Sequence, residues 1–220
     1  MRAIYIIAEG QTEEEFINEI LRPYLNRFEI YDVRAILMET SPGYKGGDVT
    51  YPRFKYNVEL LLKRETDVIV TSLIDYYKLD TGFPNFNESI RIVDKLKRME
   101  FLEESIGNDI QNRRFLPYIQ LHEFEGLLFS SDLGFDYLPG IPLPNISQLK
   151  TLVNQYDNPE LINDGEETAP SKRLIKLIPG YQKTLHGPII ADEISIDVIL
   201  RKCLRFNEWV KKLIDLYNSL

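Results

Sequence analysis

Residues Ile4 to Ala8 form an apolar, β-branched run that stops at Glu9-Gly10, and a helical pattern follows at once. This strand–turn–helix order is the start of a βα unit, and it commits the chain to an α/β fold before anything else is read. Thr12 and Glu15 are spaced as a capping box, which predicts the helix N-terminus there. Phe16, Ile17, Ile20, Leu21, Tyr24 and Leu25 recur with helical period and define its buried stripe. Glu9 is then expected in the turn leaving the C-terminal end of the first strand, where open α/β sheets build their sites. The turn is not a nucleotide-phosphate loop, because it has neither GxGxxG nor GxxxxGK followed by serine or threonine. Its carboxylates, Glu9, Glu13, Glu14 and Glu15, would repel a phosphate unless cations stood between them. A simpler account of Glu13 to Glu15 is that acidic residues suit the positive end of a helix dipole.

The alternation continues for about 130 residues. The pattern predicts a second strand over 31–38 and a loop over 40–52, which holds three glycines and two prolines. A helix is expected over 53–64, with Phe54, Val58, Leu61 and Leu62 on one face. The run 67–74 is the clearest buried strand and ends at Asp75. After a loop at 76–84, a helix over 88–101 capped by Asn87 is expected, then a fourth strand over 114–121 running directly into 122–129. Beyond residue 131 the reading is mainly helical, with a breaker-rich junction at 139–144 and helices near 146–156, 171–178 and 206–217. The expected organisation is a mostly parallel sheet flanked by helices in residues 1–130, with a helical extension in 131–220 packed on it as one compact unit.

Composition narrows the chemistry. With 44% hydrophobic residues and 13 tyrosines, the 220-residue chain has ample material for a core. The lone cysteine, Cys203, excludes an internal disulfide and a cysteine-rich zinc site, and two histidines, His122 and His186, make a histidine-rich site improbable. Any bound metal must therefore rely on carboxylates, which points to magnesium, manganese or calcium. No run approaches the roughly 18 residues of a membrane span and no secretory leader is present, so a cytoplasmic protein is expected. The net charge of −8 argues against a free-standing DNA-coating protein, but not against a nuclease whose carboxylates dominate the count.

Three acidic clusters share one predicted address. Glu9 ends the first strand, Asp75 ends the third, and Glu123 with Glu125 close the fourth, so a parallel sheet would set them along one rim. Carboxylates converging there repel one another, and a divalent cation, or a pair about 4 Å apart, would relieve that cost and support phosphoryl transfer. Each also has a blander reading: Asp75 as a turn cap, Glu123 and Glu125 as solvated first-turn residues, Asp80 as an ordinary loop aspartate, and His122 as a hydrogen-bonded structural residue. Tyr76 and Tyr77 are open to base stacking or to loop packing. Arg113-Arg114, Lys172-Arg173 and Lys183 are open to phosphate contact or to a solvated surface.

Four segments resemble a known bacterial family. They are Ala8 to Glu13 (Ala-Glu-Gly-Gln-Thr-Glu), Ile74 to Leu79 (Ile-Asp-Tyr-Tyr-Lys-Leu), Tyr118 to Phe129, and Glu167 to Leu174. The family is the one called domain of unknown function 4276, Toprim-like proteins related to the nuclease domain of the overcoming-lysogenization-defect family. The resemblance implies a Toprim-like (Rossmann-like) core, a divalent cation such as Mg or Mn, cleavage of nucleic acid, and an ATPase partner, with phage defence as a setting. It matches Glu9 to the first Toprim glutamate, the general acid or base and metal neighbour, and Asp75 to the first aspartate of the Asp-x-Asp pair. The second aspartate falls on Tyr77, which cannot replace a hard carboxylate ligand at neutral pH. Glu125, with Glu123, would restore that charge from the next strand. The expected enzyme is a metal-dependent nuclease centred on Glu9, Asp75 and Glu125, with Glu9 or Glu13 relaying a proton and Lys172 with Arg173 steadying phosphate charge. The alternatives are a non-catalytic module that senses nucleic acid or docks on an ATPase, and a nucleotide phosphatase using the same chemistry.

Overall fold

The structure, a computed structural model, describes residues 2–41, 44–45, 49–162 and 165–220, with the side chains of 39–41, 44–45 and 166 left aside. Strand β1 (Ala3–Ala8) leads into helix α1 (Gln11–Phe16), which continues through a π-helical stretch (Ile17–Leu21) into α2 (Arg22–Asn26). Strand β2 (Val33–Leu37) follows, then a short antiparallel pair, β3 (Glu39–Ser41) and β4 (Tyr44–Lys45), and helix α3 (Tyr51–Arg64). The expected loop over 40–52 is therefore part hairpin and part helix, and its residues 42–43 and 46–48 lie outside the described ones. Strand β5 (Val68–Asp75) is the longest in the sheet. Next come α4 (Phe86–Ser89), α5 (Lys95–Ile110), β6 (Phe115–Leu116), β7 (Ile119–Gln120) and a 3₁₀ turn (Phe124–Phe129).

The remainder is helical: α6 (Leu133–Asp136), α7 (Leu143–Gln155), two 3₁₀ turns (Pro159–Leu161 and Glu166–Thr168), α8 (Pro170–Leu177), α9 (Lys183–Ile194), α10 (Ile196–Lys202) and α11 (Leu204–Ser219).

The main sheet is parallel in the order β2-β1-β5-β6, with β7 also pairing with β5. Side chains alternate across a strand, so each face receives every second residue. Ile4, Ile6 and Ala8 with Ile69 and Leu73 face α1 and the C-terminal helices, while Tyr5, Ile7, Val70 and Ile74 face α3 and α5. Both faces are covered, which is why β1 reads as an unbroken apolar run and β5 as one interrupted only by the buried Thr71 and Ser72 before its end at Asp75. Trp209 of α11 lies over the sheet with its indole N–H donating to Thr71, 2.9 Å away, and stacks on Tyr118 at 4.6 Å.

Three local expectations are corrected. The first helix begins at Gln11 with Gly10 as its N-cap, and Glu13, not Glu15, reaches back to accept from the Gly10 N–H at 3.0 Å. Glycine has no side chain to complete the reciprocal bond, so the helix carries half a capping box. Thr12 is instead buried against α9: a Cβ built on Gly187 would stand 3.3 Å from its methyl group. The helix expected over 88–101 is split, because Ile90 and Val93 are solvent-exposed and Asp94 accepts from the Leu96 and Lys97 N–H groups to start α5 afresh. The fourth strand is two short bridges separated at Pro117, which has no N–H to give to a ladder.

Helix α9 passes so close to α6 that a Cβ on Gly134 would stand 2.7 Å from the Ile190 side chain and 2.9 Å from its carbonyl. Gly134→Ala is expected to cost about 1–3 kcal/mol. Gly107→Ala inside α5, where the nearest outside atom would be 3.8 Å away, is expected to be neutral or to stabilise by roughly 0.5–1 kcal/mol. Thermal unfolding of the two variants checks the contrast.

Candidate functional site

The C-terminal ends of β1 and β5 lie side by side, with Ala8 paired to Leu73 and Asp75 paired to Gln120 of β7. Glu9 is the first residue past β1, and its carboxylate accepts from the Asp75 backbone N–H at 3.2 Å. The Asp75 carboxylate accepts in turn from the Phe124 N–H at 2.8 Å, which holds the first turn after β7 against the strand end. Glu13 is buried on the first turn of α1, and Glu123 and Glu125 are buried on either side of Phe124. The structure thus brings Glu9, Glu13, Asp75, Glu123 and Glu125 to one rim.

The acids are not equivalent. Glu123 has both oxygens engaged by Ser171 at the start of α8: the backbone N–H donates to one and the hydroxyl to the other, each at 2.9 Å. Glu125 forms an ion pair with Lys183 at the start of α9, 2.8 Å away. Its second oxygen is buried and finds no hydrogen-bond partner among the described residues, and the same holds for the nearby Tyr181 hydroxyl. An unpartnered buried carboxylate oxygen is costly, and it marks a place where something else can bind.

Burial and mutual repulsion raise the proton affinity of Glu13, Asp75 and Glu125. Desolvation, then the charges of Glu125 and Glu9, push the Glu13 carboxyl up to about 7. Burial, then Glu13, Glu9, Glu125 and Glu123, hold Asp75 well above the usual aspartate range. Glu125 is raised by burial while Lys183 pulls against it. Burial works against the Lys183 ammonium, but Glu125, Glu123 and Asp75 outweigh it and hold its pKa above the ordinary lysine value. Among the described residues, no three histidine, cysteine, aspartate or glutamate side chains are already drawn together closely enough to hold a metal ion. The donor chemistry does suit a hard divalent cation, since every candidate atom is a carboxylate oxygen and Glu125 keeps one unengaged.

Other candidates fall elsewhere. Asp80 accepts from the Tyr51 N–H and caps α3. Arg114 donates to the Leu62, Glu65 and Thr66 carbonyls around the end of α3. Tyr76 stacks on Phe86, whereas Tyr77 is half-buried beside Lys78 and donates its N–H to the His122 carbonyl at 2.8 Å. His122 is buried in a left-handed conformation (φ 67°), with its Nε2 3.4 Å from the Lys95 ammonium. Lys172 is exposed beside Ser171, and Arg173 donates to the Thr168 carbonyl at 2.6 Å. Two residues gain roles that spacing does not reveal: Ser171 as the clamp on Glu123, and Lys183 as the cation facing Glu125.

The fold is an α/β domain with a parallel sheet flanked by helices, and its acidic side chains gather at the strand C-terminal ends. The chain belongs to the family described as "Domain of unknown function (DUF4276)", whose model matches residues 8–214. Among solved structures it is similar to the C-terminal region of the Burkholderia pseudomallei OLD protein, at 17% identity and a TM-score of 0.50, over 96% of this chain and 98% of that one. The C-terminal region of the Xanthomonas campestris pv. campestris OLD protein aligns at 18% identity with a TM-score of 0.48, over 99% and 96%. At these identities the likeness is one of fold. No curated protein matches the chain. Among the described residues, no helix is long and apolar enough to cross a membrane.

The raised Glu13 pKa has a signed consequence. The folded protein binds a proton more tightly than the unfolded chain between about 4.5 and about 7. Stability from this group is therefore full below the lower value and is lost as pH rises through the upper one. Glu13→Gln mimics the protonated form, so in metal-free buffer its free energy of unfolding should gain on that of the natural protein from pH 5 to pH 8, by roughly 3 kcal/mol at most. A difference that stays constant with pH contradicts the assignment.

Proposed function

We propose that this chain is a divalent-metal-dependent nuclease domain that hydrolyses phosphodiesters in DNA or RNA. The observation that carries the reading is the buried Glu125 oxygen left without a partner inside a cluster of five carboxylates. Surplus negative charge held out of water at strand C-terminal ends is what a cation-binding rim requires, and it has no use in a purely structural core. The resemblance to Toprim-like proteins directs the chemistry to nucleic acid.

In this reading Glu9, Asp75 and Glu125 would hold a magnesium or manganese ion, with Glu123 oriented beside them by Ser171. Such an ion supplies charge neutralisation at the scissile phosphate and makes an attacking water more acidic. Glu13, with a pKa of about 7, is suited to accept or return a proton at neutral pH, and Glu9 is the neighbouring candidate for the same task. Lys183, released from Glu125 when the ion binds, would supply positive charge at the rim, which favours an anionic substrate and a developing phosphorane. Lys172 is the exposed cation next to Ser171 and would steady the incoming strand. Residues 1–130 then act as the catalytic core, and 131–220 as the cover that delivers Ser171 and Lys183. By the same resemblance, we propose an ATPase partner and a bacterial, cytoplasmic role in phage defence.

A second reading has its own support. Tyr77 stands where the resemblance asks for a carboxylate, and Lys183 already pairs with Glu125, as suits a non-catalytic module that docks on an ATPase or senses nucleic acid. Calorimetry and a cleavage assay separate the two. Manganese is expected to bind the natural protein and to support cutting of single- or double-stranded substrates. Asp75→Ala is expected to lose metal binding and at least about 100-fold of the activity. Manganese binding without cleavage of any substrate favours the module, and no binding by either protein overturns the metal centre.

A further inference from the structure

Among the described residues, two buried side-chain oxygens lack a hydrogen-bond partner: Oε2 of Glu125 and the hydroxyl of Tyr181. Both belong to one spot. A Cβ built on Gly187 would stand 3.3 Å from the Thr12 methyl group, 3.9 Å from the Phe124 ring and 4.0 Å from the Tyr181 hydroxyl. Thr12 precedes Glu13, and Phe124 stands between Glu123 and Glu125, so the hydroxyl reaches the inner side of the acidic rim. Burial, then the charges of Glu125 and Glu123, hold its pKa above the ordinary phenol value, and it keeps its proton at neutral pH. The ring that aims it is held in place. It stacks on His186 with centroids 5.6 Å apart, and the His186 Nδ1 accepts from the Gln182 N–H at 2.8 Å.

We propose that Tyr181 is a substrate-contacting residue of the rim, its hydroxyl donating a hydrogen bond to a non-bridging oxygen of the phosphodiester; the inference rests on the nuclease reading. A phenol can donate, whereas an ionised carboxylate oxygen only accepts. The two unpartnered atoms do not bond one another, so the group that suits both has a cation on the carboxylate side and an anionic oxygen on the hydroxyl side. A phosphate oxygen beside a divalent ion has that character. Hard cations take carboxylates, carbonyls and water, so a neutral phenol serves the anion while Glu125 serves the cation. A buried O–H without an acceptor costs free energy and adds nothing to the fold, but it is a donor already aimed at where charge will arrive. The way in runs past Lys183, whose side chain is 44% exposed against 2% for Glu125. Release of Lys183 from Glu125 opens both unpartnered atoms to an incoming phosphate.

Tyr181→Phe removes the hydroxyl and keeps the ring, which separates contact with substrate from support of the fold. In metal-free buffer its melting temperature is expected to equal or exceed that of the natural protein, because the oxygen removed has no partner to lose. A fall of about 3 °C or more, the shift of a lost hydrogen bond in a chain of this size, would make the hydroxyl structural and overturn the proposal. Manganese affinity by calorimetry should stay within about twofold of the natural value, and its loss would put the phenol on the ion, against the proposal. Fluorescence anisotropy with a labelled single-stranded oligonucleotide in calcium buffer should show binding weakened roughly 10-fold. Tyr137→Phe, at an exposed tyrosine just after α6, should bind like the natural protein. Equal binding by the Tyr181 and Tyr137 variants would leave the hydroxyl to a buried water and overturn the contact, with the metal centre untouched. Absence of oligonucleotide binding by the natural protein overturns it as well. Tyr181-dependent binding without manganese-dependent cleavage would support the contact while removing the nuclease reading.

Discussion

The carboxylate of Asp75 is the joint on which the acidic rim depends. Its backbone N–H donates to Glu9 at the end of β1, and its side chain accepts the Phe124 N–H that starts the turn carrying Glu123 and Glu125. One residue thereby sets three chain segments in register at the sheet edge. Parallel pairing of β1 with β5 brings those ends level, and the pairing is fixed by apolar residues on both faces. The core decides where the strands end, and the strand ends decide that the acids meet.

Once together, the acids generate the chemistry of the site by opposing one another. Buried carboxylates shift towards the protonated form, and each neighbour strengthens the shift. The helical half answers that charge from the other side. Helix α8 presents Ser171 to Glu123, and α9 crosses α1 closely at Gly187 while placing Lys183 on Glu125. The second half of the chain is therefore part of the site, and it shares a continuous core with the sheet through Phe16, Phe124 and Phe206.

Much of the fold is legible in the sequence, and what is not has physical causes. The runs over β1 and β5 and the stripes of α1 and α3 read correctly because burial on a known face leaves a period. The helix expected over 88–101 fails because Ile90 and Val93 imitate a buried stripe while lying in solvent, and the actual start is Asp94. Helix α9 leaves almost no amphipathic signal: Gly187 and Pro188 lie inside it, and Leu185 and Ile189 are apolar but exposed. At the acidic rim, the positions of Glu9 and Asp75 are readable from their addresses at strand ends. The burial of Glu13 is not, because an acidic first turn looks the same whether solvated or covered by another helix. Lys183 joins Glu125 across 58 residues, and no spacing rule records that contact.

Anomalous diffraction from crystals grown or soaked with manganese tests the central claim most directly. The account predicts a peak within coordination distance of the Asp75, Glu9 and Glu125 carboxylates, with the Lys183 ammonium moved off Glu125. Millimolar manganese that leaves no peak at the rim, with the Lys183–Glu125 pair intact, would contradict it.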